Sequence, residues 1–499
     1  MKYKSTRNSS LRVDSAQAIL QGLSAEGGLF VPEKLPEITL DDMEGLADMP
    51  YTERAIEILS LFLTDFSDEQ LVSCVENAYR PEKFGGEEEE ITPISHLYEG
   101  IYMLELWHGP TCAFKDMALQ LLPHLLTTSA KIVKNDKEIV ILVATSGDTG
   151  KAALEGFKNV DGTKIIVFYP QDGVSPMQKR QMTTQEGKNV SVCAINGNFD
   201  DAQTAVKTIF TDRALHERME RNGKMFSSAN SINWGRLVPQ VVYYISAYID
   251  LMANGEIKAG DPVNVCVPTG NFGNILAAYY AKKMGVPFGK LICASNRNKV
   301  LTDFINTGVY NKNREFYPTV SPSMDILISS NLERLLYDLS GEDDGAVTQW
   351  YSRLSSEGQY EVPAGVKEAL SAQFYGGYCD DEATKATIRE IFDRYSYLCD
   401  THTAVAVRVY EDYREKTGDK TPTIIASTAN PYKFTASVLS SLTEPGSDDE
   451  YAQIEELWQI SGLEVPAQLA ELKDKPVRFT DSIDRNAIRE QVVGMLGLN

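Results

Sequence analysis

The chain changes its hydrophobic rhythm once. From residue 11 to residue 80, apolar positions recur at helical spacing, as in SAQAILQGL (15–23), ERAIEILSLFL (53–63) and DEQLVSCVENAY (68–79). That spacing gathers apolar side chains on one helix face. The pattern ends at Pro81 and the polar run GGEEEE (85–90), which predicts a helical N-terminal domain followed by a linker. Beyond it, short β-branched runs alternate with amphipathic segments: EIVILVATS (138–146), TKIIVFYP (163–170), NVSVCAING (189–197), VNVCVPTG (263–270), GKLICASN (289–296) and TPTIIAST (421–428). Near-continuous apolar strands, each followed by a helix, predict parallel sheets covered on both faces, an α/β fold. Ligands in such folds bind at the carboxyl ends of strands. Three of these runs end in unusual turns, at Thr145, Thr269 and Thr428, richer in hydroxyls and glycine than a connection requires.

Length and charge narrow the picture. At 499 residues, and about 150 residues per domain, two to four domains are expected. A net charge of −22, with no local block of lysine and arginine, argues against nucleic acid as a partner. It leaves room for a small anion, because a helix N-terminus and one or two placed cations can hold a phosphate against an unfavourable overall field. Seven scattered cysteines never spaced C-x-x-C suggest neither a disulfide framework nor a metal site. No segment reaches about 18 apolar residues and no cleavable leader is evident. The expectation is a cytoplasmic protein without a membrane partner.

The turns carry the chemistry. After VNVCVP, the run Thr269-Gly270-Asn271-Phe272-Gly273-Asn274 opens a helix. Glycines there let consecutive N–H groups converge on one anion, to which the helix adds its positive end. An ordinary strand-to-helix turn has the same composition. VATSGDTGKAAL departs from the nucleotide P-loop: Thr145 stands where its first glycine belongs, and Ala152 where its magnesium-binding hydroxyl belongs. What remains are hydroxyls and N–H groups suited to a carboxylate, with N-capping by Asp148 or Thr149 as the plainer role. In WHGPTCAFKD (107–116), Lys115 stands near a predicted helix start among Phe114, Met117, Ala118 and Leu119. Burial and the helix dipole both lower an amine's pKa, and a neutral amine is what attack on a carbonyl requires. A lysine together with a phosphate cup fits pyridoxal 5′-phosphate (PLP), whose aldehyde and phosphate need those two groups. In the third turn, the hydroxyl of Thr428 is placed to meet a pyridine nitrogen, or simply to shape the turn.

These motifs, in order, resemble the threonine synthases, PLP enzymes that share their fold with the tryptophan synthase β subunit. The resemblance runs nearly end to end: YKSTRNSS, AILQGLSAEGGLFVP, HGPTCAFKD, ATSGDTG, SPMQKRQMTT, NGNFDDAQ, NSINWGRLVPQ, PTGNFGN, STANPYKF and GLEVPAQLAELKDKP. It implies a helical N-terminal domain over 1–100, a large PLP-binding domain over 101–122 and 224–499, and a small α/β domain over 123–223. It implies that Lys115 joins the cofactor covalently, that Gly270, Asn271, Phe272, Gly273 and Asn274 hold its phosphate, and that Thr428 faces its ring nitrogen. Asn230, Ser231, Asn233 and Arg236 resemble the family's pocket for the phosphate of O-phospho-L-homoserine, and Ser146 and Thr149 its substrate-carboxylate loop. Asp148 stands where relatives in the wider fold commonly carry asparagine. No metal is implied, and the oligomeric state, monomer or homodimer, is left open. The implied reaction converts O-phospho-L-homoserine and water to L-threonine and phosphate. The rivals are a PLP-dependent threonine or serine dehydratase on the same fold and a non-catalytic PLP-binding relative. The segments 311–330 and 341–363 match no family pattern.

Overall fold

A computed structural model describes residues 1–86, 90–145, 147–171 and 174–498. Two sheets organise it. The larger has six strands in the order Phe374–Tyr378, Phe288–Ser295, Val263–Pro268, Thr423–Ser427, Ile101–Glu105, Ile94–Tyr98. All neighbours are parallel except the last pair, where Ile94–Tyr98 runs antiparallel along the edge. The smaller sheet is wholly parallel, in the order Ser482–Asp484, Val190–Asn196, Thr163–Pro170, Glu138–Ala144, Lys224–Ser227. The six apolar runs of the sequence are six of the seven inner strands of these sheets; Ile101–Glu105 is the seventh. Val263–Pro268 is buried at every position, as a strand covered on both faces must be.

The structure departs from the expected division of the chain at its borders. Ile94–Tyr98 pairs with the large sheet rather than closing an N-terminal unit. Lys224–Ser227 and Ser482–Asp484, expected in the large domain, pair instead with the small sheet. Strands of three to five residues are too short to show a period, so nothing local announced which sheet they join. The N-terminal region holds the expected helices, among them Ser15–Gln21, Tyr51–Phe62 and Asp68–Ala78. It also holds an unexpected antiparallel sheet of Asn8–Val13, Tyr3–Ser5 and Phe30–Pro32.

One helix ties the parts together. Trp234–Ala253 spans 20 residues, nearly all of them buried, and packs against Gly273–Met284, Tyr51–Phe62 and Asp116–Leu119. Covered on several sides, it is apolar around most of its circumference. Its first turn carries Arg236, and its neighbours carry the glycine-rich turn and Lys115, so three predicted site elements meet through one rigid helix. The seven cysteines are buried and unpaired.

Candidate active site

Carboxyl ends of strands from both sheets open into one pocket of about 740 Å³, counted out to its mouth. It is lined by Phe114 and Lys115, by Asp148 and Thr149, by Pro268 to Asn274, and by Thr428 and Ala429. At this point the large sheet's strand order reverses about Val263–Pro268, the place where α/β sheets leave a crevice.

Lys115 immediately precedes the one-turn helix Asp116–Leu119. Its loop is fixed from behind. Asp116 accepts the Thr111 backbone N–H at 2.8 Å and hydroxyl at 2.7 Å, and the Phe114 N–H donates to the Thr428 carbonyl at 2.8 Å. The lysine side chain is 11% exposed. Its Nζ lies 3.4 Å from Ser323 Oγ and 3.7 Å from Asp148 Oδ2. Burial pushes the amine's pKa down; Asp148 opposes this, while Lys433 and Arg236 reinforce it. A one-turn helix has little dipole, so burial rather than the dipole is the cause.

The Thr145–Gly150 turn is built by Thr145 itself, whose buried hydroxyl accepts the N–H groups of Gly147 (3.0 Å) and Gly150 (2.9 Å). Gly147 adopts φ 141°, a conformation that favours glycine. The capping role expected for Asp148 or Thr149 is not what is found: Gly147 holds the N-cap position and has no side chain, and it is the Thr145 hydroxyl that takes a helix-start N–H, that of Gly150. Thr149 lines the pocket. Ser146 lies outside the described residues. The Asp148 carboxylate instead takes Lys433 Nζ at 3.0 Å and Gln178 Nε2 at 3.1 Å. Burial alone would raise its pKa, but Lys433 first and Lys115 second hold it well below the ordinary carboxylate range.

In the glycine-rich turn, Phe272 is left-handed at φ 63° and serves as N-cap of Gly273–Met284. The first N–H groups of that helix lack intrahelical partners. A side chain at Gly270 would bring its Cβ to 2.7 Å from the Ser323 carbonyl oxygen, which accounts for glycine there. Asn274 accepts the hydroxyls of Tyr243 (2.8 Å) and Tyr244 (2.5 Å), while its buried Nδ2 has no partner. Thr428 is 5% exposed on the pocket wall and its N–H donates to Thr403 Oγ1 at 3.2 Å.

Of the four residues expected around a second phosphate, Asn230, Ser231 and Arg236 line the pocket. Asn233 does not. Its Oδ1 accepts the Gly235 N–H at 2.9 Å, capping the long helix, and its Nδ2 donates to the carbonyls of Ile19 (3.0 Å) and Ser228 (2.8 Å). That amide is fully used in holding structure. Arg236 is the opposite case: 4% exposed, it donates from Nη1 to the Ala229 carbonyl at 3.0 Å, its Nε has no partner, and no described carboxylate pairs with it. Burial pushes its pKa from 12.5 to about 10. A buried guanidinium with no counter-charge among the described residues is suited to an anion.

Ser323, His402 and Lys433 were not anticipated. Ser323 accepts from Lys115 and donates its backbone N–H to His402 Nε2 at 3.1 Å, which leaves the Nδ1 hydrogen for Asp400 at 2.7 Å. Ser323 belongs to the 311–330 segment that matched no family pattern. Lys433 stands inside the quoted STANPYKF, but nothing in its neighbours distinguishes a buried lysine from a solvated one. Among the described residues no cluster of histidine, cysteine and carboxylate side chains is suited to a metal, and no helix is long and apolar enough to cross a membrane.

A molecule carrying an aldehyde and a phosphate fits these residues. A buried amine with lowered pKa lines the same pocket as a glycine-rich helix start with an unpartnered amide donor, Asn274 Nδ2. Comparison with known proteins agrees. The family descriptions "Threonine synthase N terminus", "Pyridoxal-phosphate dependent enzyme" and "Threonine synthase, C-terminal" match residues 2–79, 89–367 and 403–492. "Threonine synthase-like 1" of Homo sapiens is 42% identical over 86% of this chain and 58% of its own, so the chain spans little more than half of that relative. "Threonine synthase" of Saccharomyces cerevisiae is 34% identical over 99% of this chain and 98% of its own. The crystal structure of PLP-bound threonine synthase from Brucella melitensis superposes with a TM-score of 0.86, at 35% identity, covering 99% of this chain and 98% of that one.

Proposed function

This chain belongs to the threonine synthase family of PLP-dependent enzymes, and on that premise we propose that it converts O-phospho-L-homoserine and water to L-threonine and phosphate in the pocket around Lys115. When bound, the cofactor supplies an aldehyde carbon and a ring that accepts the electron pair released at the substrate's Cα. Lys115 is the residue that attaches it. Gly270, Asn271, Phe272, Gly273 and Asn274 take its phosphate through backbone N–H groups and the Asn274 amide, and Thr428 offers its ring nitrogen a neutral hydroxyl.

Substrate is held at both ends. Arg236, with Asn230 and Ser231, binds the phosphate to be expelled, and Thr149, with Ser146 as its expected neighbour, binds the carboxylate. Lys115 then moves the protons: its neutral amine accepts the Cα proton, serves the exchanges at Cβ and Cγ that accompany departure of phosphate, and returns a proton as water adds at Cβ. Its burial keeps bulk water from competing for those protons. The seven buried, unpaired cysteines support a reducing compartment, which we take to be the cytoplasm.

The observation that carries this reading is the pairing, in one pocket, of a buried lysine whose pKa burial lowers with a buried arginine that has no counter-charge among the described residues. A dehydratase has no need of a second phosphate site. The test is turnover of O-phospho-L-homoserine, followed as phosphate and threonine formed in equal amounts. Deamination of threonine or serine without phosphohomoserine turnover would overturn it.

A further inference from the structure

Beside Lys115 lies a second buried lysine to which the reaction assigns no role. The Lys433 side chain is wholly inaccessible; its Nζ donates to the Thr111 carbonyl at 2.8 Å and to Gln181 Oε1 at 3.2 Å, and pairs with Asp148 Oδ1 at 3.0 Å. Asp148 lies between the two lysines but does not serve them equally. Its contact with Lys433 is a close ion pair, whereas Lys115 stands off at 3.7 Å from Oδ2 and reaches only Ser323 Oγ, at 3.4 Å. Both distances are long for a charge-assisted bond. One carboxylate in a buried space neutralises one cation, and Lys433 has it.

We propose that Lys433 is a positioning residue for this reaction: it occupies the negative charge of Asp148 and thereby favours the free, nucleophilic form of the Lys115 amine. The other groups facing Lys115 do not replace it. Arg236 is a further cation without a carboxylate among the described residues, and Asp116 is engaged by Thr111. His402, on the same pocket wall, accepts from the Ser323 N–H and is bonded to Asp400. The direction of the lysine's pKa follows: Asp148 raises it, while Lys433 and Arg236 lower it alongside burial.

The inference rests on Lys115 being the cofactor lysine, and the test separates the two. Full-length protein stripped of cofactor is mixed with pyridoxal phosphate across pH 5 to 10, and the rate of covalent uptake is followed by absorbance. Affinity for pyridoxine 5′-phosphate, which has no aldehyde, checks that the pocket is intact. Lys433→Met hands Asp148 to Lys115, so the pH midpoint of uptake should rise by about 1 unit or more, slowing uptake about tenfold at pH values below the wild-type midpoint, with pyridoxine phosphate affinity unchanged. Lys433→Arg should keep the wild-type midpoint. A folded Lys433→Met protein with the wild-type midpoint would overturn the proposal. Should that variant fail to fold, Asp148→Asn carries the test: with two cations and no carboxylate the midpoint should fall below wild type, and a rise or no change would overturn it. If Lys115 is not the cofactor lysine, uptake labels another residue in the wild-type protein itself, a separate failure.

Discussion

Replacing Arg236 with methionine separates binding from stability in an unusual way. The guanidinium is 4% exposed with no paired carboxylate among the described residues, and burial brings its pKa from 12.5 to about 10. A base whose pKa is lowered on folding destabilises the folded state at every pH below that value. Here the cost is on the order of 3 kcal/mol, at about 1.4 kcal/mol per pH unit. Methionine is similar in length and uncharged, so Arg236→Met removes this cost and should raise the melting temperature of the protein measured without phosphate ligands. The same change removes a charge-assisted contact to the substrate phosphate, worth about 1.5–3 kcal/mol. The KM for O-phospho-L-homoserine should rise by about 10- to 150-fold, and inhibition by inorganic phosphate should weaken alongside. Thermal unfolding and phosphate-release kinetics on one preparation read both effects. A variant that melts lower than wild type and keeps its KM would show Arg236 to be a structural residue and refute the reasoning.

Asn233→Ala makes the complementary case: it removes a helix cap and strands the carbonyls of Ile19 and Ser228, so stability to denaturant should fall by about 2 kcal/mol or more with KM unchanged, and a raised KM at full stability would return the residue to the substrate pocket. Gly270→Ala places a methyl 2.7 Å from the Ser323 carbonyl oxygen and should weaken cofactor affinity about tenfold or more by equilibrium dialysis. Wild-type affinity would show that this turn yields freely.

Six of the seven inner strands were readable because each is a continuous apolar run, three of them closed by glycine and hydroxyl residues, a signal contained within nine residues. What escaped was set by long-range placement. Ser482–Asp484 becomes a strand only by pairing with Val190–Asn196, far away in the chain. Lys433 is defined by acceptors on Thr111, Asp148 and Gln181, three separate segments. Ser323 matters through Lys115, 208 positions distant. Asn233 shows the converse: it was named through the resemblance to the family's phosphate pocket, yet a capping amide and a ligand-binding amide look alike until their hydrogen bonds are seen. Lys115 was legible because a cation among apolar neighbours conflicts locally with its surroundings, and that conflict is itself a signal.

The central claim is that Lys115 and the Gly270–Asn274 turn hold the two ends of one PLP molecule. Borohydride reduction of the protein loaded with PLP, followed by proteolysis and mass mapping, tests it most directly, because Lys433 stands close by as an internal competitor. The account predicts one pyridoxyl phosphate group per chain, on Lys115. A label on Lys433 or elsewhere, or none on a protein that retains bound cofactor, would contradict it.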